Sequence, residues 1–226
     1  MVREPHHDNH MFNLTPSELR QLTKLNTPVK IQDYLDSLPT NFERSADTCY
    51  SPRKVMRLGT AHCMEGAMLA ALALRLQGQQ PLVMDLKSID GVDDDHVVAL
   101  FRQYGRWGGI TKTNHAVLRY REPVYRSARE LALSFFHEYF LPNGRKTLRS
   151  YSTPLNLKQF DKRGWMTAED NIWYVPETLN ESQHFPILQP RQIKNLRRAD
   201  AIEIAAGELT EWDKCGKKLS FTKRKK

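Results

Sequence analysis

Only three of the 226 residues are cysteine, Cys49, Cys63 and Cys215, and no two of them form a CxxC pair. So small and odd a set makes a poor disulfide framework and a poor zinc site, and each is expected as a reduced thiol. Long apolar runs are missing as well. The longest, Ala67 to Leu76, falls short of the roughly 18–20 residues of a membrane span and contains Arg75. The opening MVREPHHDNHMF lacks the charged-then-apolar layout of a secretory signal. These absences together point to a cytoplasmic protein. Glycine (11) and proline (12) are too few and too scattered for a collagen-like or low-complexity chain. What remains is a globular composition, 40% hydrophobic and 27% charged. At this length roughly 70–75% of the unfolded surface can be buried, so a core needs no covalent staple.

The net charge of +8 invites a nucleic-acid reading, but much of the excess sits in the terminal KKLSFTKRKK. Such a tail is expected to be solvated, and the partner it implies is a weak, salt-sensitive polyanion. No RNP, helix-turn-helix or zinc-finger pattern accompanies it. His6, His7 and His10 lie in a terminus expected to be frayed. The expected organisation is a disordered stretch at 1–12 and one domain over 13–212. That domain carries a C-terminal extension from about 145, and a basic tail follows over 213–226.

Thr15-Pro16-Ser17-Glu18 is a helix start, and Pro28 to Leu38 reads as a second helix. Ser51-Pro52 breaks the chain just before the most informative element. There Thr60 is the expected N-cap of a helix running through AHCMEGAMLAALALRLQ to Gly78, which suits the position after a helix end. Apolar residues cover this helix nearly all round, as in a helix buried on most faces. Three strand-like runs follow, Pro81 to Leu86, His96 to Arg102 and Trp107 to about Thr113. Gln103-Tyr104-Gly105-Arg106 forms a tight hairpin between the last two. The expected fold class is therefore α+β, a central helix packed on an antiparallel sheet. Residues 124–140 carry an amphipathic helical pattern. Loops and short strands are expected over 145–190, and a last helix from Gln192 to Leu209.

Cys63 falls in the first turn of the central helix. Free N–H groups and the positive end of the dipole favour a thiolate there. From position alone, a small buried hydrophobe is the commoner role for such a residue. His96 opens the second strand and can serve as the base that pairs with the thiol. A metal site built from Asp93, Asp95 and His96 is the weaker alternative, because no second cluster offers further ligands. No cofactor is called for. The hairpin register pairs His96 with about Thr113, which puts Asn114 next door as the group to orient the imidazole. Thr111, Thr113 and Asp85 are weaker candidates. The Cys63 N–H is a built-in oxyanion donor. Asn41 and Tyr50 are candidates for a second donor, and Trp107 for a cleft wall.

A Cys-bearing helix, a strand, a His-bearing strand and a hairpin to a third strand with a polar residue follow one another here. This is the order of the transglutaminase-like superfamily core. GTAHCMEGAMLAALALRLQGQQPLVMDL, DDDHVVALFRQYGRWGGITKTNHAVLRYREPVYRS and the segment ending SFFHEYF resemble a group of small bacterial proteins with that domain. The resemblance covers roughly residues 28 to 140. It implies a papain-like fold with a Cys-His-Asp/Asn triad, Cys63 as nucleophile and His96 as base. The superfamily usually carries Asp about where Thr111 or Lys112 falls, and this sequence offers Asn114 slightly later. The function so implied is thiol-dependent acyl transfer or hydrolysis of an amide, peptide or ester. Alternatives are an inactive transglutaminase-like interaction module and, third, polyanion binding through the tail.

Overall fold

The computed structural model describes residues 11–43 and 45–210. Most of the expected 1–12 terminus, Cys215 and the basic tail lie outside the described residues. Met11–Asn13 forms a short 3-10 turn, and the Phe12 ring lies under the Arg75 guanidinium at 4.1 Å. Four helices come first: α1 (Pro16–Lys24), α2 (Pro28–Ser37), α3 (Pro52–Leu58) and α4 (Cys63–Leu76). The first three each begin with proline in the first turn, behind a Thr or Ser cap that accepts a backbone N–H. Strands β1 (Leu82–Lys87), β2 (His96–Gln103), β3 (Arg106–Thr111) and β4 (Arg121–Tyr125) follow, then α5 (Ala128–Leu133). The remainder holds β5 (Ser150–Ser152), β6 (Leu155–Asn156), α6 (Tyr174–Glu181), β7 (His184–Pro186), α7 (Pro190–Lys194) and α8 (Ala201–Gly207).

The strands form one antiparallel sheet in the order β4-β3-β2-β1-β5-β7, with β6 beside β5 along the same edge of β1. The fold is thus mixed helix and antiparallel sheet, as the α+β expectation held. Tyr104 (φ 52) and Gly105 (φ 73) both adopt left-handed backbone, the pair of conformations that a two-residue hairpin turn requires. The ladder ends at Val98↔Thr111, two residues short of the expected pairing of His96 with Thr113 on the same register.

Both faces of the sheet are covered, which explains why β2 reads as a continuous apolar run. Val97, Ala99 and Phe101 join the core under α4, whereas Val98 and Leu100 join the one under α5. From Met64 to Leu74 every residue of α4 is buried. The helix can approach β3 only because position 66 lacks a side chain. A Cβ on Gly66 would stand 2.4 Å from the Lys112 Cβ. Alanine in a helix interior ordinarily gains about 1 kcal/mol over glycine. Here the clash is with the root of a side chain that cannot rotate away. Gly66→Ala is expected to cost a net ~2 kcal/mol, read as a lowered urea midpoint at unchanged m-value.

Several element boundaries differ from expectation. Thr60 does not cap α4, because its hydroxyl donates to Pro39 O at 3.0 Å and Ala61 bridges Thr40 in extended conformation. The helix therefore begins two residues later, behind His62. Residues 124–140 are not one helix. Val124 lies in β4 and is 64% exposed, and α5 starts only after the Ser127 cap, with a 3-10 turn at Phe136–Glu138. The expected last helix is two short ones. Asp200 opens the second with its own capping box, and Ala199 N–H is drawn to Gly144 O at 2.9 Å. The 145–190 region supplies three short strands as expected, and α6 besides.

Candidate active site

Cys63 is the first residue of α4, so its backbone N–H has no intrahelical acceptor and points out of the helix end. His62 caps that end in an unusual way. Its Nδ1 accepts from Met64 N–H at 3.2 Å and its Nε2 lies 3.0 Å from Thr48 O. Glu65 completes the capping box by accepting from His62 N–H at 2.9 Å. Glu65 is fully buried, yet its carboxylate is well partnered. It accepts from Tyr50 N–H (2.9 Å), the Thr48 hydroxyl (2.9 Å) and the Asn41 amide (3.2 Å). The loop carrying Asn41, Thr48 and Tyr50 is thereby fastened to the helix N-terminus. Asn41, a candidate oxyanion donor, is committed to this network, and so is the backbone N–H of the other candidate, Tyr50.

His96 reaches the same place from the sheet. Its parity groups it with Val98 and Leu100 on the α5 side, but as the first residue of β2 it stands at the sheet end nearest the α4 N-terminus. The Asp93-Asp94-Asp95 turn that precedes it is structural. Ser88 N–H donates to Asp95 at 2.8 Å and Ser88 Oγ to Asp93 O at 2.7 Å. Tyr139 donates its hydroxyl to Asp94 O, and Thr147 donates to the Asp93 carboxylate. Among the described residues no group of three or more His, Cys, Asp or Glu side chains is disposed to hold a metal ion.

Cys63 and His96 are brought together. Burial alone would raise the Cys63 thiol, but hydrogen bonds from His62 and then His96, with the charge of both imidazoles, outweigh it and bring it down to about 5. Burial likewise opposes charge on His62, yet the Cys63 thiolate and then Glu65 lift it to about 9. The two shifts share one cause, the mutual stabilisation of thiolate and imidazolium. Protonating His62 therefore exchanges its cap bond to Met64 for the ion pair. Cys49 differs in kind: it is buried, and burial first, then Glu65, pushes it up to about 12.

The third position is open. Asn114 is nearly buried but makes no hydrogen bond to His96 among the described residues. Thr111 donates its hydroxyl to Leu118 O, Thr113 accepts from His115 N–H, and Asp85 pairs with His184 at 3.0 Å. His96 Nε2 is buried and has no partner among the described residues. Trp107 sits at the hairpin end of β3 with Arg102 over its ring, far along the strand from Thr111. It does not wall this site.

A cavity of about 210 Å³ is lined by the chain neighbours of Cys63, His62 and Met64, together with Trp173 and Pro176, and not by Cys63 itself. Glu43 and Asp47 complete its rim. Sequence reasoning missed His62, Glu65 and Trp173. The first two carried a signal, since Glu lies three residues after His62 whereas Cys63 lies three after Thr60. Trp173 comes from the extension and carried none. The sequence matches no protein-family model and no curated protein.

Proposed function

We propose that the protein is a thiol acyltransferase or hydrolase acting on an amide, peptide or ester bond, with a transglutaminase-like, papain-like core. The observation that carries this reading is the Cys63 thiol, held down to about 5 at a helix N-terminus between two imidazoles. The Cys63 thiolate attacks the carbonyl carbon, a C–S bond forms, and the carbonyl electron pair moves to oxygen. The Cys63 N–H stabilises that oxyanion. Collapse expels the leaving amine or alkoxide, which takes a proton from the His96 imidazolium and leaves a thioester. Water or an amine then attacks, His96 accepts its proton, the C–S bond breaks and the thiolate returns. His96 suits this role because it stabilises the Cys63 thiolate by hydrogen bond and by charge. His62 is a positioning residue, pairing with the thiolate while its Nε2 is held at Thr48 O.

Single-turnover acylation tests the proposal. With a nitrophenyl ester at pH 6, where lysines are protonated, one acyl group per chain is expected on Cys63 by mass spectrometry. The accompanying nitrophenol burst should vanish in Cys63→Ala. Acylation no faster than that of free cysteine would leave the second reading, an interaction module on the same scaffold. The missing orienting partner of His96 is the observation that favours this second reading.

A further inference from the structure

We propose that the cavity beside Cys63 is a subsite for a positively charged group of the substrate, an alkylammonium or guanidinium. The inference rests on the acyl-transfer reading and adds a substrate class to it. The position comes first. The cavity is lined by His62 and Met64, the two residues that flank Cys63 in the chain, and not by Cys63 itself, so an occupant lies one residue away from the nucleophile and is felt there through charge and through its reach past His62. Size comes second. About 210 Å³ is somewhat more than the roughly 150 Å³ that holds a benzene ring and less than the roughly 300 Å³ at which drug-sized pockets begin. One long side chain fits, and a nucleotide or an oligosaccharide does not.

The lining then selects the charge. Trp173 is 41% exposed and offers a ring as one wall. Ring faces attract cations, most strongly on tryptophan. Glu43 and Asp47 add two carboxylates at the rim. The Glu43 Oε1 that accepts from Thr48 N–H at 2.6 Å stands 3.8 Å from His62 Nε2, but the charge on His62 is already answered by Cys63 and by Glu65 at 3.3 Å. The rim therefore keeps an excess of negative charge in a chain whose net charge is +8. The overall field of the protein favours anions, so a local preference for cations is not a by-product of composition. Pro176 closes the cavity from α6, which gives the C-terminal extension a place in substrate selection.

The test labels Cys63 in the full chain carrying Cys215→Ser, with aminoethyl and sulfonatoethyl methanethiosulfonate compared at matched ionic strength. The cationic reagent is expected to react about tenfold faster, and the ratio to fall toward one in Glu43→Gln/Asp47→Asn and to shrink in Trp173→Ala. The preference should also weaken in salt. Blocking by an arginine- or lysine-containing peptide identifies a substrate side chain as the occupant, and blocking by a diamine alone identifies an acceptor amine. Equal rates for the two reagents at a fast-reacting Cys63, or an unchanged ratio in the double variant, would overturn the subsite. Slow reaction with both reagents would instead overturn the activated thiol on which the subsite rests.

Discussion

Alkylation of Cys63 by iodoacetamide is expected to rise tenfold per pH unit up to about pH 5 and then level off, because the thiol is held near 5 rather than at 9.0. The magnitude follows from two opposed effects. At pH 6 about nine-tenths of a thiol with pKa near 5 is thiolate, against roughly a thousandth of one at 9.0. A thiolate whose pKa lies four units lower is intrinsically about 40–100-fold less nucleophilic. The net gain over an ordinary cysteine at pH 6 is therefore only about tenfold. At pH 9 the order inverts, and Cys63 should be a few tens of times slower than an ordinary thiol. A profile that keeps climbing through pH 8, with no crossing, would sink the ion pair. Cys49, pushed up to about 12, stays silent across this range, and Cys215→Ser removes the remaining thiol.

The two histidines should separate when alkylation and acylation are compared. The His62 hydrogen bond is the largest single influence holding the thiol down, and His96 adds both a hydrogen bond and charge. His62→Ser keeps a good N-cap side chain but removes the imidazole, so the alkylation midpoint moves up while the helix stays capped. His96→Ala should also move the midpoint up, and should impair the acylation of amides more than His62→Ser does, because it removes the proton donor for the leaving group. If both variants change both readouts equally, the division of labour between a positioning and a catalytic imidazole is wrong.

How far the sequence revealed this site depended on how local the determinants are. Tyr104-Gly105 sets the hairpin through two residues alone, so the register that runs from Gln103↔Arg106 to Val98↔Thr111 was legible. The slim, apolar α4 and its first-turn cysteine were legible for the same reason. The cap was not, because Thr60 outranks His62 as an N-cap on propensity. The choice is made by tertiary contacts, the Thr40–Ala61 bridge and the Glu65 network. The helical pattern over 124–140 failed where an edge strand competed. Val124 fits a helix face, yet β4 is drawn into the sheet by pairing with β3. The cavity was out of reach entirely. It joins Glu43 and Asp47, His62 and Met64, and Trp173 and Pro176, which only folding brings together.

The Glu65 network carries the other large expectation. Glu65→Ala should destabilise the protein by about 3–5 kcal/mol, the usual cost of removing one side of a buried, hydrogen-bonded ionic cluster. The side chain is fully buried and receives four donors, two of them backbone N–H groups, of Tyr50 and His62. Alanine leaves those N–H groups without acceptors in a space too tight for ready hydration. Glu65→Gln separates the charge from the shape. The carboxamide fills the same volume, but its NH2 must face donors that the second carboxylate oxygen satisfied, so a smaller loss of about 1–3 kcal/mol is expected in urea unfolding. The neutral variant also withdraws the negative charge that helps keep His62 protonated. Its Cys63 alkylation midpoint should therefore move upward even where the protein is fully folded. A Glu65→Gln protein with lowered stability but an unaltered alkylation profile would show that Glu65 is a loop fastener alone. A parallel change in both ties the architecture of the helix cap to the chemistry of the thiol.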